Sequence, residues 1–197
     1  MHPVFCRLLV AACSMLLLKP VSCYGQQAGP CGAFLRDSDF ICAKVMPAGA
    51  KHLRVFSPGK PGFICIRTHA GRTRLSTDSL FGYRDKHGAC YRFDHATNNT
   101  YRILECGTVI IYASTKPGYG SKNFRQYTVY SFSRSLRAPV VPLTLLNLKR
   151  AFPENYTLHH LLDIEFGDIP VSAFDTPHSM FRINFILQQH VNATTHP

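Results

Sequence analysis

The sequence predicts a β-rich α+β fold with little helix. Three observations carry this expectation. Short runs of β-branched and aromatic residues recur along the chain, Gly/Pro turn chemistry separates them, and helix-start signals are few.

The N-terminus is read first because it sets the compartment. Arg7 precedes an apolar run from Leu8 to Leu18; Lys19 and Pro20 end it, and small residues follow at Val21, Ser22 and Gly25. That is the layout of a cleaved secretory signal, and the run is too short to span a bilayer. Residues 1–25 are expected to be a signal peptide, cut between Cys23 and Gln26. The mature chain is then expected to be secreted, or held at a surface by a partner, with no membrane span of its own.

Residues 24–50 are turn-rich and read as an extended loop pinned by disulfides. Leu53–Phe56 is a short strand. Ser57-Pro58-Gly59-Lys60-Pro61-Gly62 is turn chemistry, and Phe63–Thr68 is a β-rich run. Ala70-Gly71 turns it back into Arg72–Leu75. Ser76 or Thr77 is placed to cap a short helix carrying Leu80, Phe81 and Tyr83, ended by Gly88. Tyr101–Ser114 reads as strand, Lys116-Pro117-Gly118 as a turn, and Gln126–Ser133 as a further strand. Val140–Leu148 is an apolar segment that Pro142 restricts to a sheet edge. Leu158–Phe166 fits either a short helix or a strand. Phe181, Ile183, Phe185 and Leu187 alternate with Arg182, Asn184, Ile186 and Gln188, the pattern of a half-buried strand. The expected organisation is a signal at 1–25, one region at 26–97 and a β-rich C-terminal region at 98–197.

The whole chain carries a formal charge of +11; loss of Arg7 and Lys19 with the signal leaves +9. A charge of that size favours acidic surfaces such as glycosaminoglycans, acidic receptor segments or acidic proteins. Export argues against nucleic acid as the partner. The densest basic cluster holds Lys60, Arg67, Arg72, Arg74 and Arg84, with Lys86 and His69. It is either a contact patch or a charged strand edge that resists aggregation. The last third carries acids instead, at Glu154, Asp163, Glu165, Asp168 and Asp175.

Beyond the signal, Cys31, Cys42, Cys65, Cys90 and Cys106 remain, and an oxidising compartment predicts two bridges with one thiol left over. Sequons at Asn98, Asn155 and Asn192 predict N-glycans. Ten histidines raise metal and acid–base readings, but His159 and His160 are adjacent and no H-E-x-x-H or C-x-x-C spacing occurs. Neither a nucleophile elbow nor a phosphate loop is found. The chain is expected not to be an enzyme and to need no cofactor and no metal. A secreted ribonuclease using two histidines is the least favoured alternative.

The segment from Lys60 to Asp78, KPGFICIRTHAGRTRLSTD, resembles the central hairpin of a chemokine, with Cys31 and Cys42 lying upstream. The passage from Ala70 to Phe81, together with Phe181–Leu187, the Asn192 sequon and Thr195-His196-Pro197, is similar to the chemokine-like subunits of the cytomegalovirus complexes built on glycoproteins H and L. The divergence is of the kind a rodent-virus member would carry. The resemblance implies a degenerate chemokine-like N-terminal part, three short strands and a helix, followed by a β-strand C-terminal extension. It implies a non-catalytic subunit of a virion-envelope complex that binds a host receptor, sets cell tropism and carries virus into cells. The implied partners are glycoproteins H and L, small sister subunits and a cell-surface receptor, with Phe181, Ile183, Phe185 and Leu187 pairing a sister by strand addition. The alternative is a freestanding chemokine-like immunomodulator that binds a leukocyte receptor or glycosaminoglycan.

Overall fold

A computed structural model describes residues 29–56, 62–118 and 126–194. The expected signal peptide and Lys60 lie outside the described residues. The first elements are β1 (Gly32–Phe34), α1 (Asp37–Ile41), β2 (His52–Phe56), β3 (Phe63–Thr68) and β4 (Gly71–Ser76). Next come β5 (Gly82–Arg84), β6 (Cys90–Asp94), β7 (Asn99–Cys106), β8 (Ile110–Pro117) and β9 (Gln126–Ser133). The chain then forms β10 (Val141–Pro142), α2 (Leu145–Ala151), α3 (Tyr156–Glu165), β11 (Phe174–Asp175), β12 (Met180–Phe181) and α4 (Arg182–Thr194). The fold is therefore β-rich α+β, as expected.

A seven-stranded antiparallel sheet in the order β1-β5-β6-β7-β8-β9-β10 is the frame, and β2-β3-β4 form a separate three-stranded sheet. Side chains alternate across a strand, so each large-sheet strand feeds two faces. Leu104, Ile111, Tyr130 and Phe132 belong to one face, where Leu148, Leu158, Leu162, Ile183, Ile186 and Leu187 of α2, α3 and α4 pack over them. Tyr101, Ile103, Ile110 and Tyr112 belong to the other, covered by Phe34, Phe40 and Val45. Ile64 and Ile66 of the small sheet pack with Ala33, Leu80 and Phe93. Each fully buried aliphatic side chain contributes about 1.5–3 kcal/mol, so the three clusters supply most of the driving force.

Several expectations are corrected. Residues 181–187 are not a strand: β12 ends at Phe181, and Arg182–Thr194 is helical. Ile183, Asn184, Ile186 and Leu187 are buried, whereas Phe185 is only half-buried. That is a helical stripe, which the extra apolar residue at Ile186 permits and which the helical layer makes favourable. The helix expected after Ser76 is a single 3-10 turn, Thr77–Ser79, capped by the Ser76 hydroxyl accepting from Asp78 N. The chain then extends into β5, so the three short strands expected between Leu53 and Leu75 are present and the helix expected after them is not.

Gly82 permits that pairing, since a Cβ there would sit 1.9 Å from Tyr91 O. The run Tyr101–Ser114 is two strands, broken at Gly107. Val140–Leu148 yields only the edge strand β10; Thr144 then caps α2, its hydroxyl accepting from Asn147 N. Leu158–Phe166 resolves as helix. The turn-rich N-terminal segment holds β1 and α1 rather than a plain loop. The division at 97/98 falls in the β6–β7 turn, inside one sheet.

Two buried polar clusters lock the frame. Arg92 is 7% exposed and donates to Tyr112 Oη and Ala138 O, both at 2.9 Å. Asn184, 2% exposed, donates to Glu105 Oε1 (2.6 Å) and Val109 O (2.9 Å) and accepts from Val109 N (2.9 Å). Glu105 also accepts from Phe181 N at 2.7 Å, so the start of α4 is clamped to the β7–β8 turn.

Candidate functional site

The small sheet presents a cationic face. Its register aligns His52 with Arg67 and Arg72, Arg54 with Cys65 and Arg74, and Phe56 with Phe63 and Ser76. The alternating set holds Leu53, Val55, Ile64, Ile66 and Leu75 and packs inward, with Ile64 and Ile66 fully buried. The period of two therefore forces His52, Arg54, Arg67, Arg72 and Arg74 onto the outer face, where all five are exposed. At strand dimensions the three rows cover roughly 14 Å along the strands and 10 Å across.

Phe56 and Phe63 stack at 4.8 Å, and the Arg74 guanidinium sits 3.5 Å above the Phe63 ring. The stack holds Arg74 flat against the sheet. Arg54, Arg67, Arg72 and Arg74 enter no ion pair among the described residues. Arg67 lies directly opposite Arg72, an arrangement that destabilises a sheet unless an anion lies between the charges. Edge protection accounts for charge on β2 and β4. It does not account for Arg67, which lies on the central strand.

The sequence-predicted patch is thus partly assembled. Arg67, Arg72 and Arg74 come together, whereas Arg84 lies on β5 in the large sheet, its guanidinium 5.5 Å from the centre of the Phe34 ring. His52 and Arg54 were missed, although their alternation with Leu53 and Val55 was present in the sequence. The interface residues Phe181, Ile183 and Leu187 are buried in the helical core. Phe185 stacks on His178, centroids 3.9 Å apart.

Cys31, Cys42 and Cys65 are free thiols. Cys31 is buried and donates to Ala50 O at 3.3 Å; burial pushes its thiol above the ordinary value. Cys42 is exposed at the end of α1, and Cys65 lies within the cationic face. Cys90 and Cys106 pack against one apolar cluster. Asn98 is exposed at the β6–β7 turn with φ 55°, a conformation asparagine tolerates. Asn155 caps α3, accepting from Leu158 N at 3.0 Å, and its Nδ2 lies 2.9 Å from His190 Nε2. Asn192 lies in α4.

No group of three metal-ligating side chains occurs among the described residues, and no described helix is long and apolar enough to cross a membrane. The histidines with carboxylate or carbonyl partners serve local structure. His159 Nε2 donates to Phe152 O (2.8 Å) at the end of α2. His178 Nδ1 lies 2.8 Å from Asp175 Oδ1, which also accepts His178 N, closing the β11–β12 turn. The His178 side chain and the Arg182 guanidinium hold the Asp175 carboxyl below the ordinary carboxylate range.

Fold and site together define a β-rich α+β protein with a cationic, aromatic-braced sheet face. No family model, curated protein or solved structure matches the chain.

Proposed function

We propose that this chain is a non-catalytic subunit of a viral envelope glycoprotein complex that binds a host receptor and carries virus into cells. In this reading the outer face of β2-β3-β4 meets an acidic cell-surface glycan or receptor segment. The observation that carries the binding role is the opposed guanidinium groups of Arg67 and Arg72, which enter no ion pair among the described residues and are flanked by Arg54 and Arg74. The three-stranded meander agrees with the resemblance of this region to a chemokine. Large apolar side chains left exposed on α2 and α3, Leu146 (58%), Tyr156 (77%) and Ile164 (65%), favour life in an assembly with glycoproteins H and L and sister subunits.

The same meander also favours a freestanding chemokine-like ligand of leukocytes. Tagging the chain in infected or co-transfected cells and identifying what purifies with it separates the two. Recovery of glycoproteins H and L with small sister subunits, lost when a sister is omitted, is the expected result. Recovery of a lone, well-secreted monomer overturns the subunit reading and leaves the free ligand.

A further inference from the structure

A second site lies on the large sheet. The register carries one row straight across five strands: Tyr83 opposite Tyr91, Tyr91 opposite Arg102, Arg102 opposite Ala113, and Ala113 opposite Tyr130. Residues directly opposite one another share a sheet face. Toward β5, the small sheet covers this face, with Tyr83 and Phe93 packed against the cluster of Ile64 and Ile66. At the far end the helical layer covers it, reaching as far as Leu104 and Tyr130. Between the two covers the face stays open as a cleft of about 520 Å³. That volume falls within the range of small-molecule sites.

The lining is chemically specific. Ala113 stands where its neighbours in the row carry large side chains, so the floor drops there. Tyr83 and Tyr91 stack on each other at 4.6 Å and 6°, forming a rigid aromatic wall, and Tyr130 closes the opposite side. Burial pushes both stacked phenols upward and the Asp85 charge adds to this, so they stay neutral and present no negative charge. Hydroxyls of Thr115 and Thr128, paired across β8 and β9, line the same cleft. Among the described residues Arg102 is the one charged side chain in the lining; it is exposed and has no ion-pair partner among them.

We infer that this cleft binds a carboxylate-bearing sugar, a sialic or uronic acid unit, separately from the polyanion face of the small sheet. A guanidinium fork matches a carboxylate with two parallel hydrogen bonds. The C–H face of the ring lies against the tyrosine wall, and the threonine hydroxyls exchange hydrogen bonds with sugar hydroxyls. The cleft holds one or two rings, so it reads a terminal or internal acidic sugar rather than the length of a polymer.

The test is a ligand-observed and protein-observed NMR titration of the full secreted chain. The probes are the methyl glycosides of N-acetylneuraminic and glucuronic acid, with methyl galactoside as the neutral control. The expected result is binding of at least one acidic probe, with shifts at Arg102, Ala113 and Thr128, and at least about tenfold weaker binding by Arg102→Gln. Ala113→Phe, filling the floor, is expected to remove binding. Arg102 is exposed, so Arg102→Gln keeps the experiment decisive if Ala113→Phe does not fold. Preference between the two acids identifies the source as a sialylated glycan or a uronate polymer. Equal binding of galactoside, full affinity in Arg102→Gln, or no acidic probe bound up to about 10 mM would each overturn the assignment.

Discussion

Replacing Asn184 by alanine tests how the C-terminal helix is held. Asn184 satisfies three partners in a region where Val109 is fully buried and Glu105 is 4% exposed. Val109 O keeps a second donor, Gly107 N at 3.2 Å, and Glu105 keeps Phe181 N. Val109 N loses its Asn184 Oδ1 acceptor, and Glu105 Oε1 loses the Asn184 amide. At about 1–3 kcal/mol for each buried group deprived of its partner, the expected cost is about 2–6 kcal/mol. For a domain of this size that lowers Tm by roughly 5–20 °C.

Gly107→Ala attacks the same clamp from the other side, because its Cβ would lie 2.5 Å from Asn184 Cγ. The two substitutions should therefore be strongly non-additive: in the Asn184→Ala background the added methyl meets an emptied space. Urea unfolding of the wild type, both single variants and the double variant gives the coupling directly. A cost below about 1 kcal/mol for Asn184→Ala, or an unchanged Gly107→Ala cost in the double variant, would refute the clamp.

Gly82→Ala should abolish folding or expel β5 from the sheet, since the added Cβ would meet Tyr91 O at 1.9 Å; loss of amide protection at Tyr91 and Phe93, whose N–H groups face β5, checks this. Leu162→Ala, at a fully buried position between α3 and the sheet, should cost about 2–5 kcal/mol by urea unfolding. Asp175 has a lowered folded-state pKa, so its contribution is present above the ordinary carboxylate value and is lost as pH falls through the lowered one. The stability gap between wild type and Asp175→Asn should therefore close as pH falls from above the ordinary carboxylate range to below the lowered value, and a gap that persists would exclude the carboxylate.

Local signals in the sequence located what local chemistry decides. Ala70-Gly71 marked the β3–β4 hairpin, where Gly71 takes φ 138°; the alternation of Gln126–Ser133 gave β9; Pro142 gave an edge strand. The segment 181–187 fits periods of both 2 and 3.6 over its short length, and packing against Leu158 and Leu162 decided for the helix. Ser76 carried a real cap signal, but β1 and β6 claim Gly82–Arg84 as a strand; β6 follows as a local hairpin, whereas β1 lies about fifty residues upstream, where no local window reaches.

The cationic face was half legible for the same reason. Arg67, Arg72 and Arg74 sit within one hairpin, whereas His52 and Arg54 join them only through the register of β2. The cleft was not legible at all. Its row depends on four successive strand registers, including a β-bulge between Ile103 and Glu105.

The most direct test of the central claim is the salt dependence of heparin binding by the wild-type chain and by a variant carrying Arg54→Ser, Arg67→Ser, Arg72→Ser and Arg74→Ser. All four side chains are exposed and free of ion pairs among the described residues, so the variant should fold as the wild type does. On the counterion-release scale of linear polyanions, about 0.7–0.9 per charge contact, the slope of log K against log salt should shrink by roughly three. A slope and affinity unchanged by the four substitutions would contradict the account and move the acidic partner away from this face.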